Sequence, residues 1–271
     1  MILSRRIGVV MALLATALSA PAHAAERAEA IDRTTLRVCA DPASPPMSSE
    51  DGKGFENEIA ELFARELGVK VQYSWFPGAM GFYRRTLNAR RCDIVMGAAV
   101  GMEMAATTDP YYRSSYVLLT RSADGVTAAR LDDPALRARK LGVQARTPAT
   151  DILARLGVLD SIRSYDLMVD TRHISVAREM LDDLLAKRID GAVLWGPIAG
   201  ELAAAHPELR LTILSAGPGD MPLAFDIGMA VRFGEPAWRA RINRFIHDRR
   251  AQIVAILTAH HVPRLPLTET K

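Results

Sequence analysis

The chain has 271 residues, 49% of them hydrophobic and 24% charged, and a formal net charge of +3. Lys and Arg are interspersed with Asp and Glu, which excludes a basic nucleic-acid-binding patch. No stretch after residue 24 is long and apolar enough to cross a bilayer, so membrane insertion is excluded as well.

The first residues read as a secretory signal peptide. "MILSRR" has two arginines and no acid, "IGVVMALLATALSA" is an apolar run, and Ala22-His23-Ala24 forms a small-x-small cleavage site. Cleavage after Ala24 leaves 247 residues and lowers the formal charge to +1, because only Arg5 and Arg6 are lost. The expected location of the mature chain is a bacterial periplasm, with residues 25–33 as an N-terminal extension.

From there strands and helices alternate. "TLRVCA" (35–40) reads as a strand, followed by a turn-rich loop. "FENEIAELFARELG" spaces Phe55, Ile59, Leu62, Phe63 and Leu67 as a helix stopped by Gly68. "VKVQYSWF" is a second strand, "FYRRTLNAR" a short helix, "CDIVMGAAV" a third strand and "SYVLLT" a fourth. The rhythm restarts with strand "KLGVQA" and helix "TPATDILARLG", whose Pro148 suits a first turn. "SIRSYDL", "DGAVLW" and "LRLTILS" read as further strands, with helices "ISVAREMLDDLLAKR" and "GPIAGELAAA" before and after the second of these. The chain closes with strand "FDIGMAVR" and two amphipathic helices over 236–247 and 249–259.

This alternation predicts an α/β fold with mostly parallel sheets flanked by helices. Its restart and late return predict two lobes: lobe I from 34–121 and 223–262, lobe II from 122–222, and a C-terminal tail over 263–271. Ligands on such sheets sit at the carboxyl ends of the strands, which directs attention to the loops 41–54, 76–82, 97–104, 144–150, 195–198 and 216–224. Cys39 and Cys92 lie in strand-like runs; an oxidising compartment permits a disulfide, while the stagger of two parallel strands leaves two buried thiols as the alternative.

Several motifs together resemble a known family. "LRVCADPASPPMS", "GFENEIAELFARELG" and "TTDPYYRSSYVLLTR" look like the first lobe of the polar-amino-acid class of periplasmic binding proteins, of the two-lobe type II fold. "KLGVQARTPATDIL" and "FDIGMAVR" are similar to the second lobe and the return. More narrowly, "VCADP", "GFENEIAEL", "TLNARRCDIVMG" and "VLWGPIAG" resemble the MoxJ/XoxJ family of proteins associated with pyrroloquinoline-quinone (PQQ) methanol dehydrogenases of methylotrophs. The resemblance implies a PQQ-dependent methanol dehydrogenase as partner, with its cytochrome c as a second candidate; such dehydrogenases can carry a lanthanide.

Two departures from amino-acid binders stand out. Those proteins clamp the ligand carboxylate with an arginine after the third-strand turn, and by position that residue is Met104. They hold the amino group with a second-lobe aspartate, where this chain has Trp195 and Gly196. A zwitterion would lose hydration without gaining these partners. The candidate cleft loops instead carry Met47, Trp75, Phe76, Met80, Phe82, Tyr83, Met102, Met104, Tyr111, Tyr112 and Trp195, suited to a protein segment or a bulky apolar ligand. For Phe76, Phe82 and Tyr111, filling the lobes is the simpler reading.

No HExxH, CxxC, GxSxG or P-loop pattern occurs, so no enzyme, resident cofactor or metal site is expected. Glu56 and Glu58 read as first-turn helix charges, His260-His261 as a solvated helix end, and the pairs Asp132-Asp133 and Asp182-Asp183 as exposed helix starts or faces. The fold alone also permits an ordinary solute-binding subunit of an ABC transporter for an unidentified small molecule.

Overall fold

A computed structural model describes residues 34–78 and 81–268. The proposed signal peptide, the 25–33 extension, Met80 and the last three residues lie outside the described residues. In chain order the elements are β1 (Thr35–Ala40), β2 (Ala43–Ser44), β3 (Ser48–Ser49), α1 (Phe55–Leu67), β4 (Lys70–Trp75), α2 (Phe82–Arg85), β5 (Val95–Ala99), β6 (Ala106–Thr107) and β7 (Tyr112–Arg121). There follow β8 (Leu141–Gln144), α3 (Pro148–Arg155), β9 (Arg163–Tyr165), α4 (Val176–Leu185), β10 (Gly191–Trp195), α5 (Gly196–Ala205), β11 (Leu209–Ile213), β12 (Ala224–Val231), α6 (Pro236–Asp248) and α7 (Arg250–Ala259). None of the described helices is long and apolar enough to cross a membrane.

The α/β units pair in parallel, as alternation requires: β1 with β4, β8 with β9, and β10 with β8. Val38 opposite Ile94 adds a parallel bridge from β1 to the residue preceding β5. The strands that join these units are antiparallel. β12 lies between β5 and β7, and β7 continues to β10 and β11. β7 therefore serves two regions: Tyr112–Ser115 pair with β12, and Tyr116–Thr120 pair with β10. The partner changes between Ser115 and Tyr116.

Side-chain alternation along these strands builds the cores. Leu118 and Val193 face one cluster with Leu141, Val143 and Ile152, while Val117, Leu119, Ala192 and Leu194 face another under α4 and α5. A third cluster packs α1 through Phe55, Ile59 and Phe63 against β1, Met229, Phe245 and Leu257. Phe55, Ile59 and Phe63 are fully buried, each worth about 1.5–3 kcal/mol relative to exposure.

Cys39 and Cys92 are joined in a disulfide with a Cα–Cα separation of 5.4 Å. Cys39 N–H donates to Ile94 O and Asp93 N–H to Arg37 O, so the stagger between the two runs is small. Next to the bridge, the buried Arg232 donates to Asp93 Oδ1 at 2.8 Å and to the Cys92 carbonyl, and Glu235 accepts from it at 2.7 Å.

Several sequence expectations need correction. The helix expected over 82–90 spans only Phe82–Arg85; Thr86 leaves helical geometry, and wider turns follow, with Asn88 N–H on Tyr83 O and Arg91 N–H on Thr86 O. His260 is not a solvated end: its ring meets Phe55 edge-on and its Nε2 lies 2.7 Å from Glu58 Oε1. Asp183 is buried, not surface, and its carboxylate holds Tyr165, Arg163 and Arg188.

The two halves of the sheet also meet away from the strand ends. Buried Gly196 and Gly200 of α5 face residues 261–263, and a Cβ at Gly200 would collide with the His261 carbonyl. A Cβ at Gly196 would likewise run into Ser114 Oγ, which donates to Pro263 O at 2.7 Å. Leu265 then pairs with Arg113, extending this seam along β7.

Candidate functional site

The carboxyl ends of β1 and β5 face the N-terminus of α1. The connection between β1 and α1 is tied down by Asn57, whose Oδ1 accepts from Ser49 N–H at 3.0 Å and Gly54 N–H at 3.1 Å. Main-chain bonds from Phe55 N–H to Pro46 O and from Glu56 N–H to Met47 O, both 2.9 Å, fix where the helix begins. The second residue of α1, Glu56, is thereby aimed at the middle of β5. Its Oε1 lies so close over Gly97 that a Cβ there would collide with it.

The Met96–Gly97 main chain is gripped from two other directions. Tyr111 Oη donates to Met96 O at 2.9 Å, and Tyr83 Oη reaches Gly97 O at 3.4 Å. Among the described residues the Glu56 carboxylate itself accepts no hydrogen bond and forms no ion pair. Solvent still touches part of the side chain, but the protein packed around it pushes the Glu56 pKa up to about 7, burial contributing most and the negative charge of Asp41 next. Burial first, and the Glu56 charge second, raise the phenols of Tyr83, Tyr111 and Tyr112, while the Trp195 indole N–H acts in the opposite sense on Tyr112.

Asp41, at the end of β1, is fully engaged. It accepts from Ala43 N–H at 2.8 Å and Gly78 N–H at 2.5 Å, and Thr171 Oγ1 lies 2.8 and 3.0 Å from its two oxygens. Thr171 belongs to the segment between β9 and α4, so this contact ties the end of β1 to the far half of the sheet.

The aromatic and methionine candidates fall into two groups. Met47, Trp75, Tyr111, Tyr112 and Trp195 join the α1 core, with Tyr111 and Tyr112 buried and the others half-buried. Trp195 meets Tyr116 edge-on at 5.5 Å and Phe225 at 6.1 Å, filling the end of β10. Phe82, Tyr83 and Met102 join the disulfide cluster, and Phe76 reaches it through Phe82, 6.3 Å between ring centres. Met104 joins neither group. It is 54% exposed, and its carbonyl accepts from Asn88 Nδ2 at 3.3 Å, beside the turn that precedes β5. Met80 lies outside the described residues.

Glu56, Asp41, Gly97 and Thr171 are the functional candidates that sequence reasoning missed. The usable signal was positional: Asp41 and Gly97 lie in two of the strand-end loops, and Glu56 comes two residues after one. Among the described residues no group of three or more His, Cys, Asp or Glu could hold a metal ion.

A profile of the bacterial extracellular solute-binding proteins, family 3, matches residues 36–257. Protein MoxJ of Methylorubrum extorquens is 33% identical over 276 residues, covering 93% of this chain and 91% of that one. This chain belongs to the MoxJ/XoxJ family within solute-binding family 3. The crystal structure of periplasmic binding protein XoxJ from Methylobacterium extorquens AM1 is 38% identical to this MoxJ/XoxJ-family protein, with a TM-score of 0.72 over 86% of this chain and 100% of that one. MxaJ from Methlophaga aminisulfidivorans, at 22% identity and a TM-score of 0.75 over 85% of this chain and 100% of its own, shares the two-lobe type II periplasmic binding protein fold.

Proposed function

We propose that the protein is a non-enzymatic periplasmic accessory factor that binds a PQQ-dependent methanol dehydrogenase and assists its maturation, activation or electron-transfer assembly. Membership of the MoxJ/XoxJ family, whose members are associated with methanol oxidation, carries this reading. The strand ends support it. The position of the amino-group anchor holds Trp195, packed on Tyr116 and Phe225, and the turn after β5 offers Val100, Met102 and Met104 but no arginine. Large half-buried aromatic and methionine side chains suit a protein segment better than a free amino acid.

The chain divides in this proposal into lobe I (34–121 and 223–262) and lobe II (122–222), with hinges near 120–122 and 222–226 and the signal peptide removed after Ala24. β7 changes partners between Ser115 and Tyr116, so Tyr116–Arg121 pair with β10 and β11, upstream of the hinge proposed near 120–122. The membership of solute-binding family 3 keeps transporter delivery of a small molecule as the second reading.

The test is binding of purified cognate methanol dehydrogenase to the immobilised mature chain, with the dehydrogenase loaded and unloaded. Saturable binding that depends on its loading state is expected, and weaker binding is expected for a folded Trp195→Asp variant. No binding in either state would refute the accessory role.

A further inference from the structure

Among the described large apolar side chains, Phe233 and Met104 are the two most exposed, at 64% and 54%. A single exposed apolar residue needs no explanation. These two stand at one place. Val231 is opposite Ala106 where β12 pairs with β6 in antiparallel register. Phe233, two residues beyond, and Met104, two residues before, therefore come to the same end of that strand pair. Ala230 is also opposite Val95, the first residue of β5, so this is the amino end of β5, away from the carboxyl ends of the strands. Phe233 is held out on a fixed turn. Arg232 before it is buried on Asp93 and on the Leu87 and Cys92 carbonyls, Glu235 after it accepts from Arg232 at 2.7 Å, and Gly234 takes a φ of 81°. An anchor fixed in this way loses little conformational freedom on binding.

The charge around the pair is one-sided. The turn over 87–91 takes Arg232 on its Leu87 carbonyl and reaches the Met104 carbonyl with Asn88 Nδ2 at 3.3 Å, and it carries the exposed Arg90 and Arg91. On α6, Asn243 Oδ1 accepts from Asp109 N–H at 3.0 Å, just past β6, and Arg239, one turn earlier on that flank, is exposed. None of Arg90, Arg91 and Arg239 forms an ion pair among the described residues. Of the two acids within 87–91, 103–107 and 232–239, Glu235 is bound to Arg232, which leaves Glu103.

We infer that Phe233 and Met104, ringed by Arg90, Arg91 and Arg239, form a docking surface for a protein whose matching face is acidic around an apolar recess. On the accessory reading above, on which this identification rests, that protein is the methanol dehydrogenase. A second copy of the chain fits poorly, because a two-fold contact would set arginines against arginines. An anionic membrane fits poorly as well, since two side chains fall short of the apolar face that interfacial binding buries. At such a surface the aromatic anchor carries most of the affinity, while the rim charges set the association rate and its salt dependence.

The experiment is capture of purified cognate methanol dehydrogenase by the immobilised mature chain at about 50 and about 300 mM NaCl. Wild type is compared with Phe233→Ser, with Arg90→Glu combined with Arg91→Glu, and with Leu159→Ser, an exposed apolar control between α3 and β9. All of these positions are exposed, and thermal melts report that each variant is folded. Phe233→Ser is expected to weaken capture by about tenfold or more. The arginine pair is expected to weaken it at low salt and to remove most of its salt dependence, and Leu159→Ser to leave it unchanged. Unchanged capture by both Phe233→Ser and the arginine pair overturns the inference and leaves the accessory role standing. An equal loss in Leu159→Ser overturns it as well, since any exposed apolar residue would then serve. No capture by wild type in either loading state refutes the accessory role and this surface with it. Self-association of the free chain, or binding to phosphatidylglycerol vesicles, that Phe233→Ser abolishes while dehydrogenase capture is unchanged overturns it in favour of a second copy or a membrane.

Discussion

Replacing Glu56 with glutamine keeps the shape of the side chain and removes its charge, so the unliganded protein should become more stable, and only above a certain pH. The unfolded chain ionises Glu56 at its ordinary value near 4.5; the folded chain does so at about 7. Between these values the folded state holds a proton that the unfolded state has released, so stability falls as pH rises through this window and levels off above it. Asp41, after β1, is the charge that bears on this titration, and the Glu56 charge in turn raises Tyr73 on β4, Tyr83 on α2, and Tyr111 and Tyr112. At about 1.4 kcal/mol per pKa unit, the full penalty is roughly 3 kcal/mol, reduced to about 2–3 by the solvent that still reaches the side chain. For a domain of this size that corresponds to roughly 5–10 °C in Tm. Urea and thermal melts of wild type and Glu56→Gln at pH 5 and pH 8 measure it. The variant should match wild type closely at pH 5 and exceed it at pH 8. Equal stability at pH 8, or the same difference at both pH values, would refute the assignment of an uncompensated charge to Glu56.

Reducing the Cys39–Cys92 bridge, which closes a loop of 53 residues, should cost about 4 kcal/mol on the chain-entropy account, read as a lower urea midpoint with dithiothreitol. Arg232→Ala leaves Asp93 and Glu235 without their shared buried cation and should lower unfolding free energy by about 3–5 kcal/mol in a urea melt. Gly200→Val drives side-chain atoms into the His261 carbonyl and should lower it by about 1–3 kcal/mol. Thr171→Val removes the hydroxyl from Asp41; amide exchange over 41–49 and 166–175 should quicken while the global midpoint stays within about 1 kcal/mol, and unchanged exchange would argue against this contact as a tie between the halves.

Much of the fold is legible in the sequence because its long elements carry strong periodic signals. α1 reads from the spacing of Phe55, Ile59 and Phe63 and its stop at Gly68, which adopts the left-handed conformation at the helix end. The two-residue strands β2, β3 and β6 are too short to show a period. Antiparallel pairing of β7 with β12 is invisible too, since their partners lie about a hundred residues apart. At the site, topology alone directs attention to the strand-end loops. It does not give the direction of Glu56, because an acid in the first turn of a helix is favourable facing outward, and Glu58 does face outward toward His260. The main-chain bonds that Phe55 and Glu56 donate to the Pro46 and Met47 carbonyls set the rotation of α1 that turns Glu56 inward. Likewise Asp183 looks like half of an acidic surface pair until Tyr165 and Arg188 are seen to meet over it.

The seam beneath α5 has a consequence in time. Residues 261–263 fit against Gly196 and Gly200, and β12 fits between β5 and β7, so both pieces come from the last fifth of the chain. The strands from β8 to β11, by contrast, come from one continuous stretch. As the polypeptide is delivered from its N-terminus, that stretch can collapse early, while β5 must wait for β12, a neighbour still to be made. Assembly then finishes with a single late stitch, and a ribosome-stalled or truncated product lacking residues beyond 222 would expose the unpaired edge of β5 until degraded.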